Sequence, residues 1–170
     1  MNITQIISFS QDDQISLKKL IRNIGWNDAQ AIGQIQSIQL FLQDSNSIVF
    51  FARDSNEIAA FITCQFYIWN RLGQIHGLAV DPGYRRQSLA SHLVKRVEQF
   101  LQQKGARGVY VDTPLNNDGG RRFYERIGYK AGYIMPEYYD AGQDGVTYQK
   151  FFTTSISSKQ SGSPGEGGSS

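Results

Sequence analysis

The stretch GQIHGLAVDPGYRRQSLASHLVKRVEQFLQQKGARGVYVDT, residues 73–113, decides the fold. Its first eight residues, GQIHGLAV, read as a strand. From Ser88 to about Lys104, Leu89, Leu93, Val94, Val97, Phe100 and Leu101 recur at helical spacing and mark one apolar face. GVYVDT, residues 108–113, then reads as a second strand. A strand, an amphipathic helix and another strand in succession make a crossover, which favours parallel pairing. The junction DPGYRRQSLA, residues 81–90, places a Pro-Gly turn and two arginines where the strand hands over to the helix. Unpaired backbone N–H groups and about half a positive charge from the helix dipole converge there, so the junction suits an anion. Taken alone, it also reads as an ordinary helix start with two solvated arginines.

Outward from this unit, ITQIISF predicts a first strand. Asp12 or Asp13 is placed to cap a helix that carries Ile15, Leu20, Ile21 and Ile24 before Gly25 stops it. A second helix is expected from Asp28 to about Leu42. SIVFFAR and EIAAFITCQFYIW flank the polar turn Asp54-Ser55-Asn56 and form a hairpin. A short helix around Arg121–Ile127 precedes two final strands, YKAGYIM and VTYQKFF, with PEYYDAGQDG (136–145) as the polar segment between them. From Thr153 the Ser/Gly-rich run has too few apolar side chains to offset the entropy of ordering it. The expected organisation is one folded unit over 1–152 and a flexible tail over 153–170.

A chain of 170 residues with 40% hydrophobic residues and a net charge of +2 suits a single globular domain. The near-neutral charge argues against nucleic acid or an anionic membrane as main partner, so useful positive charge must be local. Cys64 is the sole cysteine. It allows no intrachain disulfide and, with two histidines, makes a poor zinc set, so neither a metal nor an oxidising compartment is expected. The N-terminal stretch has no signal-like pattern, and no stretch approaches the roughly 18 apolar residues of a membrane span. These features point to the cytoplasm.

LAVDPGYRRQSLASHL together with NNDGGRRFYERIGY resembles the GNAT family of N-acetyltransferases, over about Gly73–Tyr129 by motif and loosely over 1–152 by element order. The resemblance implies a mixed, mostly antiparallel α/β sheet with helices on both faces, carrying acetyl-CoA in a V between two central strands. Leu78, Ala79 and Val80 would offer backbone to the pantetheine arm. The loop Arg85-Arg86-Gln87-Ser88-Leu89-Ala90 would wrap the pyrophosphate, with Ser88 standing where the family has glycine. A left-handed backbone at that position would cost serine roughly 1 to 2 kcal/mol. Asn117 would contact the pantetheine region. Tyr124 would lie near the thioester sulfur as general acid, since a phenol keeps its proton at neutral pH. Phe123 and Tyr124 alone would equally well pack a short helix into the core.

An amine attacks a thioester only when neutral. A lysine amine at pH 7 is neutral about once in 2,500, roughly a 4.6 kcal/mol handicap, whereas a chain-terminal amine loses only about 1 kcal/mol. A base is therefore needed. Gln74 stands where many family members have a catalytic glutamate and cannot serve. Asp112 resembles a carboxylate position of the ribosomal-protein N-terminal acetyltransferases, and strand parity sets it with Tyr110, opposite Val109 and Val111, on a face toward either the cleft or solvent. His76 is the rival base, since imidazole titrates near neutrality and is expected to share a face with Gln74 and Leu78. The acceptor, a protein N-terminal or lysine amine or a small-molecule amine, is expected between the first two helices and the last strand pair. There Trp26, two tyrosines and three carboxylates cluster. The resemblance thus implies direct acetyl transfer. The alternative is a noncatalytic CoA-binding regulatory module, favoured by Ser88 and Gln74.

Overall fold

A computed structural model describes residues 1–153. Apart from Thr153, the expected tail lies outside the described residues. In chain order the elements are β1 (Asn2–Gln5), α1 (Gln11–Asn23), α2 (Asp28–Phe41), β2 (Ser47–Asp54), β3 (Glu57–Tyr67) and β4 (Leu72–Val80). They continue with α3 (Leu89–Gln103), β5 (Gly108–Pro114), α4 (Asp118–Arg126), β6 (Lys130–Asp140) and β7 (Gln143–Phe151). The strands form one sheet ordered β1-β2-β3-β4-β5-β7-β6. Pairing is antiparallel except between β4 and β5, the two strands joined by the α3 crossover. The mixed, mostly antiparallel α/β architecture is as expected.

Helices lie on both faces. On one, α1 and α2 bury Leu17, Leu20, Ile21, Ile35 and Ile38 against Val49, Phe51 and Phe61. On the other, α3 and α4 bury Leu93, Val94, Val97, Leu101 and Tyr124 against Phe50, Ile62, Ile75, Val111 and Tyr148. Covered on both sides, β2 and β3 are near-continuous buried runs rather than alternating ones. The α1–α2 pair packs over β2 and β3, which leaves the same face of β5 to the polar residues Tyr110 and Asp112.

Several local expectations change. The first strand is shorter than ITQIISF: the chain leaves the sheet after Gln5, and Ile7 is exposed. Ser10, not Asp12 or Asp13, caps α1. Its hydroxyl accepts the Asp13 N–H at 3.1 Å while Asp13 accepts the Ser10 N–H at 3.0 Å, a reciprocal capping box. That frame turns Ile15 outward and Leu17 inward. β3 stops at Tyr67, leaving Ile68 and Trp69 exposed in the turn. α4 begins at Asp118, three residues early, because Asn117 caps it. PEYYDAGQDG is mostly strand, with β6 running to Asp140 and β7 beginning at Gln143.

One irregularity shapes everything that follows. Thr63 pairs with Gly77 and Cys64 with Ile75, so His76 is an extra residue, a β-bulge in β4. The β4–β5 ladder runs only from Leu72–Gly108 to Ile75–Val111 and ends at this bulge. Beyond it β4 keeps β3, β5 keeps β7, and the facing edges of the two strands part.

Candidate active site

The open V has residues 76–80 as one arm and Asp112–Pro114 as the other. Ala79 is buried toward α1 and α2, while Leu78 and Val80 pack toward α3, so side chains anchor the arm and its unpaired backbone edge faces the gap. The bulge also shifts parity. His76 shares a face with Gln74, as expected, but Leu78 falls on the opposite face, contrary to the simple alternation.

The loop at the mouth of the V is tied down at its start. Asp81 accepts the Gly83 N–H at 2.9 Å and the Asn23 side chain at 2.7 Å, and the Tyr84 hydroxyl donates to Asp54 at 2.7 Å. At its end Leu89 enters the core. Between these anchors Arg86 and Ser88 both adopt left-handed backbone, φ 63° and 58°. Ser88 therefore sits in the conformation that glycine accepts more readily, and its side chain makes no capping bond to α3. Arg85, Arg86, Gln87 and Ser88 are exposed, and neither arginine has an ion pair among the described residues. The first N–H groups of α3, around Leu89 and Ala90, thus lie beside these two exposed, unpaired arginines, a setting suited to phosphate.

On the far side of the V, Asn117 caps α4 by accepting the Gly120 N–H at 3.1 Å and donates to Thr113 at 3.0 Å. One amide hydrogen and one carbonyl lone pair remain for another partner. Tyr124 is 6% exposed, stacked on Tyr148 and flanked by Phe123 and Tyr129. Its hydroxyl makes no hydrogen bond among the described residues. Burial, with Tyr139 nearby, pushes its pKa well above the ordinary tyrosine value, so it keeps its proton.

A polar network floors the cleft on the α1–α2 side. Asp112 accepts from Thr147 Oγ1 at 3.0 Å, from Gln74 Nε2 at 3.4 Å and from the Tyr138 hydroxyl at 3.4 Å. Gln74 Oε1 accepts from the Tyr67 and Tyr110 hydroxyls, both at 3.1 Å. Burial pushes Tyr110 up to about 12, which keeps it a donor. His76 Nε2 lies 3.4 Å from the Tyr67 hydroxyl, and its ring rests against Phe41. Desolvation lowers the His76 pKa below its ordinary value, with Asp112 opposing more weakly, although the residue keeps exposed surface.

Asp112, His76 and Gln74 are thus brought together, and Asp112 shares the Tyr110 face, as strand parity predicts. Tyr67 and Thr147 were missed; Thr147 faces Asp112 across β5 and β7, a pairing that needs the register. Trp26 is half-buried against the α1–α2 core instead of open in the cleft. The hairpin carboxylates are partly engaged locally: Asp144 accepts the Glu137 N–H, and Asp140 accepts the Ala141 N–H. Cys64 is fully buried and its thiol is pushed up by desolvation, the condition of an inert core thiol. Arg121 bonds the Leu115 carbonyl and the Tyr148 hydroxyl within its own region of the fold.

A sheet splayed at a bulge, with an anion-ready helix start at its mouth, defines an acyl-CoA-type acetyltransferase fold. The model of the acetyltransferase (GNAT) family matches residues 18–129, and the chain belongs to that family. It is 26% identical over 115 residues to N-alpha-acetyltransferase 30 of Xenopus laevis, covering 66% of this chain and 42% of the relative. The chain thus matches less than half the length of that relative. The ribosomal-protein-S18-alanine N-acetyltransferase of Escherichia coli superposes with a TM-score of 0.70 at 17% identity, over 92% of this chain and 97% of that one. An aminoglycoside 6'-N-acetyltransferase complexed with coenzyme A gives 0.71 at 18% identity, over 89% and 97%.

Proposed function

We propose that this chain transfers an acetyl group from acetyl-CoA directly to a primary amine of a peptide or small molecule. The observation that carries the reading is the V itself: a bulge ends the β4–β5 ladder beside a left-handed, basic loop and a proton-bearing Tyr124. The coenzyme A complex of a structural neighbour supports it. A single, buried thiol suits a reducing, cytoplasmic setting.

The residues fit acetyl-CoA. Backbone of residues 78–80 would pair with the pantetheine arm, the amides of 86–90 would hold the pyrophosphate, and Asn117 would use its remaining donor on the arm. The bound thioester supplies the acetyl group. Asp112 holds the acceptor as an ammonium and takes its proton, leaving the nitrogen lone pair to attack. The new C–N bond forms as the C–S bond breaks, Tyr124 gives its proton to the departing sulfur, and the second proton shed by the acylated nitrogen restores the phenol. No acyl-enzyme is required, since Cys64 lies in the core.

The test is release of free thiol from acetyl-CoA against a panel of N-terminal peptides, lysine peptides and small amines. Amine-dependent release is expected. Acetyl-CoA binding without release under any amine would favour the CoA-binding module, and absence of binding by calorimetry would end both readings.

Two substitution sets probe the loop. Arg85→Ala with Arg86→Ala should weaken acetyl-CoA binding by a few kcal/mol at most, because charge-assisted bonds add roughly 1.5 to 3 kcal/mol each and backbone amides remain. Ser88→Gly relieves a strain already present without ligand, so the gain should appear as folding stability. We expect about 0.5 to 1 kcal/mol by denaturant titration, with affinity nearly unchanged. Ser88→Glu places a negative charge where the phosphates sit and should reduce affinity at least about 100-fold. Unchanged binding in that variant would move the site elsewhere.

A further inference from the structure

We propose that Gln74 is a positioning residue: clamped by the Tyr67 and Tyr110 hydroxyls, its amide turns an N–H onto Asp112 and fixes the carboxylate that receives the cationic acceptor. The inference rests on the acetyltransferase reading above for what Asp112 receives, and on geometry alone for the clamp.

Gln74 pairs with Gln65 on β3 and with Tyr110 on β5, one residue before Ile75 ends the ladder. Its backbone is therefore held on both edges. Asp112 lies just beyond the last β4–β5 rung, diagonal to Gln74, a separation that a long side chain spans. The orientation of the amide is decided by its neighbours. With Oε1 toward the two phenols and Nε2 toward Asp112 at 3.4 Å, every contact contains a proton. Reversed, the amide would set its oxygen against a carboxylate oxygen with no proton between them.

The same network counts out the free positions on Asp112. Oδ2 accepts from Gln74 and Tyr138, and Oδ1 accepts from Thr147. An ionised carboxylate offers about four acceptor sites, so one remains, on Oδ1. An ammonium arriving there meets a carboxylate held from three sides. Without the Gln74 N–H, only Thr147 and the exposed Tyr138 hold the carboxylate, and the remaining lone pair is aimed less firmly. Gln74 thus stands where a glutamate would place a second negative charge within 3.4 Å of Asp112. The glutamine keeps the cleft floor with one carboxylate while preserving the donor.

Gln74→Met and Gln74→Glu test this together. Gln74→Met keeps length and loses both hydrogen-bonding functions. KM for the amine should rise roughly tenfold or more, the effect of losing a hydrogen bond to a charged group, while calorimetric acetyl-CoA affinity holds. Gln74→Glu, when its carboxyl is protonated, can still accept from both phenols and donate to Asp112. Its activity relative to the natural chain should be greatest at the acidic end of the assay range and decline as pH rises and two adjacent carboxylates repel. An unchanged amine KM in Gln74→Met, or relative activity of Gln74→Glu that climbs with pH, overturns the proposal. A third measurement does not depend on turnover. The Gln74 side-chain amide protons, followed by NMR, should exchange slowly and shift in Asp112→Asn. Free exchange, or no shift, also overturns the clamp. If the natural chain releases no thiol with any amine, the transferase reading fails and the amide signal still decides the clamp.

Discussion

Tyr124→Phe should bind acetyl-CoA as the natural chain does and turn over about 10²- to 10⁴-fold more slowly, the range expected when a general acid is lost. The structure makes this substitution unusually clean. The ring is buried among Phe123, Tyr129 and Tyr148, but its hydroxyl makes no hydrogen bond among the described residues. Phenylalanine therefore keeps the packing and leaves no abandoned partner, so folding stability should change by less than about 0.5 kcal/mol. Two roles that the sequence could not separate, core aromatic and acid, separate here in one variant. Urea unfolding reads the first and single-turnover acetyl transfer the second. Burial holds the phenol protonated through the whole assay range, so no alkaline loss of rate from Tyr124 ionisation is expected below its ordinary pKa near 10. Full turnover with chemistry rate-limiting would remove Tyr124 as the acid and hand the proton to Tyr138, Tyr139 or water.

What the sequence disclosed follows from the range of the interactions involved. The crossover was legible because helix and strand periodicities switch sharply at Ser88 and at Gly108, and the helix stripe reappears as the buried Leu89, Leu93, Val94, Val97 and Leu101. Ser88 was legible as a departure from the motif, but only the backbone showed that the position is left-handed. Asp112 was singled out by the family resemblance, and its face followed from strand parity, a local rule that holds while a strand is regular. The same rule misplaced Leu78 relative to His76, because the bulge depends on pairing between β3 and β4; its local sign was Gly77, a glycine inside a strand. Tyr67 and Thr147 entered the network through cross-strand register. The acidic hairpin read as loop because its tyrosines and carboxylates suit a polar turn, yet β6 runs through it to Asp140, which pairs with Gln143 after an irregular stretch. Local chemistry was visible; which local pieces would meet was not.

Asp112→Asn should be most damaging where the acceptor most needs deprotonation. For a lysine-type amine the defect at pH 7 should approach about 10³-fold in kcat/KM, whereas a chain-terminal amine should lose nearer tenfold, following their neutral fractions of roughly one in 2,500 and one in ten. The defect should shrink as pH rises toward each amine's own pKa, because the solvent then does what the carboxylate did. A merely structural loss would be independent of pH and of acceptor, which is how the profile distinguishes the two. His76→Gln supplies the opposing outcome. The His76 imidazole is desolvated against Phe41 and titrates below its ordinary 6.5. A histidine base would therefore gain its proton-accepting form over a range centred below pH 6.5. An Asp112→Asn defect that is largest at low pH and shrinks toward the amine's own pKa assigns the proton to the carboxylate. A rise centred below pH 6.5 that disappears in His76→Gln, with Asp112→Asn silent, assigns it to the imidazole and leaves Asp112 as a group that binds the ammonium without receiving its proton.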